Sequence, residues 1–373
     1  MSITVSKLAV LAVAALSIAM LAPQADAQDT VRWKMQSAFG SSLPHLGPGG
    51  LRFSKDLERM SGGKFDVKFF EPGALIPPFE CFDSVSKGSI ESCWTTPGFH
   101  TGKYPALAFF TTVPFGPSLG EFLAWKWNGG GNKLRDEVYA KHGMIAFDSY
   151  CIGPETSGWF RKEIKSTADL KGLKMRFFGL GAQVMQKLGV STQLLPGGEI
   201  YAALERGVID ATEFSMPMMD IKLGFHQIAK FNYFPGWHQQ SSCSEFLVNK
   251  EAFEKLPAPY KAMIEVAANA QVIVTYAESE AMQFGAMAEM RDKHKVQIKR
   301  WDDKTLATFE QAWLDVIRDE SAKDPLFKRV ADHYLDFRKN YAVWGDAQLM
   351  KPTYLTGKPA AAPQPKKAED KKK

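Results

Sequence analysis

One arginine in this sequence stands where ligand chemistry is expected. Arg176 lies in a strand-like run, Leu173 to Phe178, at the edge of a βα turn, where α/β sheets meet their ligands. Its planar fork can bind a carboxylate through two parallel charge-assisted hydrogen bonds. The bland alternative is a solvated arginine after a lysine-rich segment. Other chemistries are missing from the pattern. The seven histidines (45, 100, 142, 226, 238, 294 and 333) form no H-x-x-x-H pair, so no zinc-protease motif is spelled. There is no G-x-S-x-G elbow and no G-x-x-x-x-G-K-[ST] phosphate loop. Gly179-Leu180-Gly181 opens a helix after a strand, but Val184 stands where a dinucleotide fingerprint needs its third glycine. Cys81, Cys93, Cys151 and Cys243 contain no C-x-x-C. In an oxidising compartment they allow three full pairings, and free buried thiols fit equally well.

Composition bounds what could position that arginine. The 373 residues are 45% hydrophobic and 23% charged, an ordinary globular balance that allows two domains or one large divided fold. No apolar run reaches the roughly 20 residues of a membrane span. The net charge of +5 is mostly terminal: between Lys358 and Lys373 six lysines face Glu369 and Asp370. The near-neutral body that remains argues against a nucleic-acid partner, which needs clustered basic groups. Residues 1–27 read as a secretory signal peptide: Lys7, an apolar stretch from Leu8 to Ala22, then Ala25-Asp26-Ala27. A buried N-terminal helix is the alternative.

Val31, Trp33 and Met35 alternate with polar neighbours and predict a strand. Pro44, Gly47, Pro48, Gly49 and Gly50 read as a break, followed by a helix through Phe53, Leu57 and Met60. Phe65, Val67 and Phe69 alternate again, completing a βαβ unit and implying a parallel sheet. After residue 150 the pattern recurs, with strands near 157–161, 173–178 and 190–195 and helices over 182–188 and 199–206. Two α/β lobes follow. After Pro259 and as far as Lys293 there is no further proline and one glycine, so a helix of about 50 Å is expected, long enough to bridge both lobes. Residues 305–318 and 327–340 read as further amphipathic helices, and 358–373 as a disordered tail.

Four segments then occur in order: Gly158-Trp159-Phe160-Arg161-Lys162-Glu163-Ile164, Asp169-Leu170-Lys171-Gly172-Leu173-Lys174-Met175-Arg176, Gly207-Val208-Ile209-Asp210-Ala211-Thr212-Glu213, and Tyr233-Phe234-Pro235-Gly236-Trp237. Together they resemble the solute-binding proteins of TRAP transporters (the DctP family), and more narrowly the branch binding 2-oxo acids and small carboxylates with a metal ion. The resemblance covers residues 31–350. It implies a two-lobed periplasmic-binding-protein fold, mixed sheets flanked by helices, with a long lobe-bridging helix. Lobe I would take 28–150 with part of 240–258, lobe II 151–239, the bridging helix 259–293, and C-terminal helices 294–350.

The resemblance also implies a site. Arg176 anchors the ligand carboxylate. Glu155, Glu213, Gln239 and the main chain at Phe214 hold a cation. Two positions depart from the branch: Glu155 replaces a glutamine and Gln239 a glutamate, which keeps two carboxylates and one amide. All-oxygen ligation suits Na⁺ or Ca²⁺. Phe99, Phe177, Phe214 and Trp237, with Phe39, Trp94, Phe178 and Met216, Met218 and Met219, are expected to wall the pocket. The implied partners are a small-molecule carboxylate and integral-membrane TRAP subunits, with a homodimer formed by swapping a C-terminal helix such as Phe327–Asn340. The competing reading is a secreted metal-dependent hydrolase or lyase with Glu155 or Glu213 as base.

Overall fold

The computed structural model describes residues 30–350. The expected signal peptide and the expected tail at 358–373 lie outside the described residues.

The chain runs β1 (Val31–Ser37), α1 (Leu46–Met60), β2 (Phe65–Phe70), α2 (Cys81–Ser86), β3 (Ser92–Thr95), α3 (Leu119–Leu123), α4 (Gly131–Ala140), β4 (Met144–Ile152) and β5 (Gly158–Phe160). It continues through β6 (Lys174–Arg176), α5 (Gly179–Lys187), β7 (Ser191–Gln193), α6 (Gly197–Glu205), β8 (Ala211–Thr212), α7 (Pro217–Lys222), β9 (Phe231–Phe234) and β10 (Ser242–Asn249). It ends with α8 (Lys250–Glu254), α9 (Ala258–Asp292), β11 (Gln297–Arg300), α10 (Asp303–Lys323) and α11 (Pro325–Ala347).

Two mixed sheets result, as expected. Lobe I has the order β2-β1-β3-β10-β4 and lobe II the order β11-β9-β5-β8-β6-β7. In lobe I, β1 runs parallel to β2 and β3, the expected βαβ geometry. The strand β10 returns from lobe II and inserts antiparallel between β3 and β4. Two crossing segments, 153–157 and 235–241, therefore join the lobes. Cys151 and Cys243, on paired strands just before and after them, form one disulfide, and Cys81 and Cys93 the other.

Helix α1 departs from expectation. It begins at Leu46 and carries Gly47-Pro48-Gly49-Gly50 within its first turns. Pro48 is tolerated there because the first amides of a helix have no intrahelical partner. The glycines permit close packing: a Cβ on Gly50 would lie 3.0 Å from Phe69 and 3.2 Å from Trp94. Residues 297–300 also differ, forming β11 beside β9 in the lobe II sheet rather than part of a helix. Four residues of alternation are too few to outweigh a helical surround.

Helix α9 bridges the lobes. Tyr260, Ile264, Ala268 and Val272 are buried, Arg52 of α1 pairs with Glu278, and Thr275 donates to Cys151 O. Further along, Gln283 accepts the amide of Met218 at the start of α7 in lobe II. Helices α10 and α11 are capped by Asp302 and Asp324. On α11, Phe327, Val330, Ala331 and Tyr334 are buried within the chain itself, with Phe109 and Trp125 against the helix.

Lobe I also buries a charged network. Asp148 pairs with Lys126 at 2.7 Å and with Arg135 at 2.8 Å, and accepts from Trp127 and Asn132. On the neighbouring strand, Glu245 accepts from Tyr139.

Candidate binding site between the lobes

The site is assembled from strand ends and crossing segments. Arg176 ends β6, and Thr212 of β8 pairs with it in parallel register, so Arg176 and Glu213 leave adjacent strands at the same sheet edge. That edge, at the carboxyl ends of parallel strands, is where α/β folds hold ligands. Glu155 lies on the first crossing segment and Gln239 on the second, tied together by Glu155 N–H donating to Gln239 O at 3.1 Å. A Cβ on Gly236 would lie 2.2 Å from Glu155 O, so only glycine lets the segments cross this closely.

Arg176, Glu155 and Gln239 line a cavity between the lobes, with Glu213 behind Arg176. Lobe I contributes Phe39, Thr96, Phe99, Tyr150 and Ser244, and lobe II contributes Arg176, Phe178, Phe214 and Ser215. The lobes close on each other, since the Phe99 and Phe178 rings meet edge-on at 5.7 Å. The lining is apolar, with a few polar groups of defined position.

Arg176 is almost wholly buried. Its Nη1 donates to Glu213 Oε1 and Glu213 O, each at 2.8 Å, and its Nε donates to Leu195 O at 3.2 Å. The guanidinium lies over the Phe214 ring at 5.2 Å and the Phe178 ring at 6.0 Å. Among the described residues its Nη2 has no protein partner, which leaves part of the fork for a ligand. Arg176 thus serves both as a cavity group and as the counter-charge of Glu213.

Three buried oxygens accept no hydrogen bond: Glu155 Oε2, Glu213 Oε2 and Gln239 Oε1. Unpartnered buried acceptors are rare and costly, and oxygens of this kind are what a hard cation takes; both ring nitrogens of His238 are unpartnered beside them. Glu155, Glu213 and His238 offer ligand atoms within 4.8 Å of one another. His238 Nε2 lies 3.6 Å from Glu155 Oε2 and 3.5 Å from Glu213 Oε2. Burial opposes charge on His238, but the two carboxylates outweigh it and raise its pKa to about 9. Burial pushes Glu155 up to about 7, whereas Arg176 and His238 overcome burial at Glu213 and hold it below the usual range. Asp220 beneath them is raised well above the usual range by burial, and accepts from Trp159 at 2.7 Å.

Of the residues expected from sequence, Glu155, Arg176, Phe214, Gln239, Phe39, Phe99 and Phe178 line the cavity, with Glu213 directly behind Arg176. Phe177 and Trp237 do not. Side chains alternate along an extended segment, so with Arg176 and Phe178 inward Phe177 turns outward. It packs on Trp237 and His238, and Trp237 packs on Phe115 and Phe309. Trp94 is stacked on Tyr150 in the lobe I core, and Met216, Met218 and Met219 are also absent from the lining. Sequence reasoning missed His238, Tyr150 and Ser215. His238 adjoins the Pro-Gly-Trp motif, the one signal that could have marked it.

A model of the family described as DctP, bacterial extracellular solute-binding protein, family 7, matches residues 41–324. A monocarboxylate 2-oxoacid-binding periplasmic protein of Nostoc sp. is 36% identical over 314 residues, 84% of this chain and 86% of the relative. A TRAP transporter solute binding protein of Bordetella bronchiseptica superposes with a TM-score of 0.83 at 34% identity, over 86% of this chain and 95% of that one. It is a mixed-occupancy dimer, one active site holding copurified calcium and picolinate and the other apo. A TRAP periplasmic solute binding protein of Pseudoalteromonas atlantica, bound to sodium and pyruvate, also gives a TM-score of 0.83, at 30% identity over 88% and 99% of the two chains.

Proposed function

The chain belongs to the DctP family of extracellular solute-binding proteins, and from that premise we propose that it is the exported, periplasmic receptor of a TRAP transporter. It binds an organic monocarboxylate with a hard cation and delivers it to integral-membrane subunits. The observation that carries this reading is the set of unpartnered acceptors Glu155 Oε2, Glu213 Oε2 and Gln239 Oε1 beside the Arg176 fork. Arg176 takes the carboxylate. Glu155, Glu213 and Gln239, with the main chain at Phe214, hold Na⁺ or Ca²⁺, which supplies positive charge for a second ligand oxygen. Phe39, Phe99, Phe178 and Phe214 exclude water from the ligand body. Residues 1–27 act as the signal peptide, and the protein pairs as a homodimer, as the Bordetella relative does.

The receptor returns its ligand unchanged. None of the compared relatives is described as an enzyme, and nothing favours the hydrolase or lyase reading. Delivery needs a closed form that differs from the open one, and hinge movement at 153–157 and 235–241 supplies it.

The test is a melting screen on protein refolded free of ligand. Each of a 2-oxo acid, a 2-hydroxy acid, a dicarboxylate and an aromatic acid is tried with Na⁺, with Ca²⁺, and with neither. A ligand at 100 times its Kd adds about 2.7 kcal/mol. A shift that needs acid and cation together supports the reading. A monocarboxylate that shifts the protein equally without either cation removes the metal from it. No shift with any carboxylate refutes the ligand class.

A further inference from the structure

We propose that Tyr150 is a ligand-binding residue whose phenol hydrogen-bonds an uncharged oxygen of the bound acid, so that the receptor selects oxo and hydroxy acids over plain alkanoic acids. This rests on the receptor reading above and adds the group through which lobe I reads the ligand. Tyr150 is 2% exposed and lines the cavity. Among the described residues its hydroxyl has no hydrogen-bond partner. Ser244 is paired with it across β4 and β10 and lines the same wall, yet makes no hydrogen bond to it. Side chains alternate along a strand, so Tyr150 and Ile152 face the cavity while Cys151 between them turns to its disulfide with Cys243. The ring is held in place: it stacks on Trp94 at 5.1 Å, and Phe39 meets it edge-on at 5.8 Å. A hydroxyl fixed in this way needs little ordering when a ligand arrives.

A buried hydroxyl left unpaired is rare and costly. Phenylalanine would pack against Trp94 and Phe39 equally well, so the fold has no need of the oxygen. The chemistry of the surrounding wall says what would pair with it. Carboxylate and cation are held by lobe II and the crossing segments, through Arg176, Glu213, Glu155 and Gln239. The lobe I wall carries no charged side chain. Its polar members are Thr96, Tyr150, Ser242 and Ser244, and Thr96 is already engaged by Thr111 at 2.8 Å. A second carboxylate would be buried against that wall with no cation facing it. A plain alkyl chain would leave the phenol unpaired. An oxo oxygen accepts from the phenol, and a hydroxyl can donate to it or accept from it.

Titration calorimetry with cation present tests the proposal on wild type and Tyr150→Phe. The probes are pyruvate, lactate, 3-hydroxypropionate and propionate, with propionate read by competition. In wild type at least one oxygenated acid should bind more tightly than propionate. Tyr150→Phe should weaken that acid about tenfold or more, because its oxygen is then buried without a partner, and should change propionate less than about twofold. Ligand-free Tyr150→Phe should melt no lower than wild type, since it deletes an unpaired group. Equal weakening of all four acids, or none, overturns the proposal and leaves the receptor reading standing. So does a ligand-free variant that melts several degrees lower, which would make the hydroxyl structural. A wild type that binds no acid overturns the receptor reading itself, and this proposal with it.

Discussion

Replacing Glu213 by glutamine removes one charge from the cleft and keeps its shape. Glu213 Oε1 accepts from Arg176 Nη1 and from Phe178 N–H, while Oε2 has no hydrogen-bond partner. A glutamine keeps its amide oxygen on those two donors. Its NH₂ then faces Glu155 and His238, where an acceptor is needed. Two effects follow, of different size. The bonds to Arg176 and Phe178 change from ionic to neutral, costing the ligand-free protein about 1–2 kcal/mol. The cation loses one charged ligand, and even changes outside the ligand set cost 10–100-fold in affinity. We therefore expect at least a hundredfold loss. The described body, residues 30–350, has an unfolding entropy near 0.7 kcal/mol/K, so 1 kcal/mol moves the melting point by about 1.5 °C. Wild type at a thousand times its Kd should gain about 4.1 kcal/mol, or about 6 °C. Glu213→Gln at the same concentrations should gain about 1.4 kcal/mol, or about 2 °C. Melting of both proteins with and without acid and cation reads this directly. A variant that keeps the full 6 °C shift would refute Glu213 as a cation ligand. Equal loss of carboxylate binding with and without cation would leave it only the role of orienting Arg176.

Three further outcomes are expected. Asp148→Asn strands Lys126 and Arg135 in the lobe I interior and should cost about 3–5 kcal/mol, leaving the ligand-dependent shift unchanged. Burial opposes the Asp148 charge, but Lys126 and Arg135 hold its pKa at about 2. Its stabilisation is therefore complete above the ordinary carboxylate pKa and is lost as pH falls through about 2, an acid limb the variant should lack on a pH–melting curve. A Cβ at Gly98 would lie 2.0 Å from Phe178 Cζ across the cleft, so Gly98→Val should obstruct closure and raise the carboxylate Kd at least about tenfold in titration calorimetry, with little change in ligand-free melting. Removing Cys151–Cys243, which closes a 92-residue separation, should cost about 4–5 kcal/mol in denaturant melts, against about 3 for Cys81–Cys93 with its separation of 12.

Local pattern carried much of the fold. The proline-free run to Lys293 marks α9 to within a residue at each end, because helix propensity sums over a long window. The alternation at Val31 and Phe65 marks β1 and β2. Arg176 and Glu213 were legible because each ends a strand inside an ordered set of segments. What failed was whatever depends on distant chain. Gly47 to Gly50 read as a break because the ring contacts that favour glycine in α1 come from Phe69 and Trp94. Phe177 and Phe178 differ by one position in an extended segment, and only the sheet decides which turns inward. His238 carried no signal of its own, since its surroundings are built by Glu155 and Glu213 from two other parts of the chain. The Lys126, Arg135 and Asp148 network was unread for the same reason.

The place of β10 has a consequence for when the molecule can fold. It lies between β3 and β4, and it is made only after strands β5 to β9 of lobe II. A chain that has emerged only as far as residue 241 holds β1, β2 and β3 on one side and β4 on the other, with facing edges and no strand to join them. Lobe I, though it starts first, cannot close its sheet before that strand is made. Until residue 249 is free, two strand edges stay open to wrong partners. Protease resistance of chains ending after residue 241 should stay low in lobe I, and rise once the chain extends past the long helix. Lobe II waits longer still, since its edge strand β11 follows the long helix.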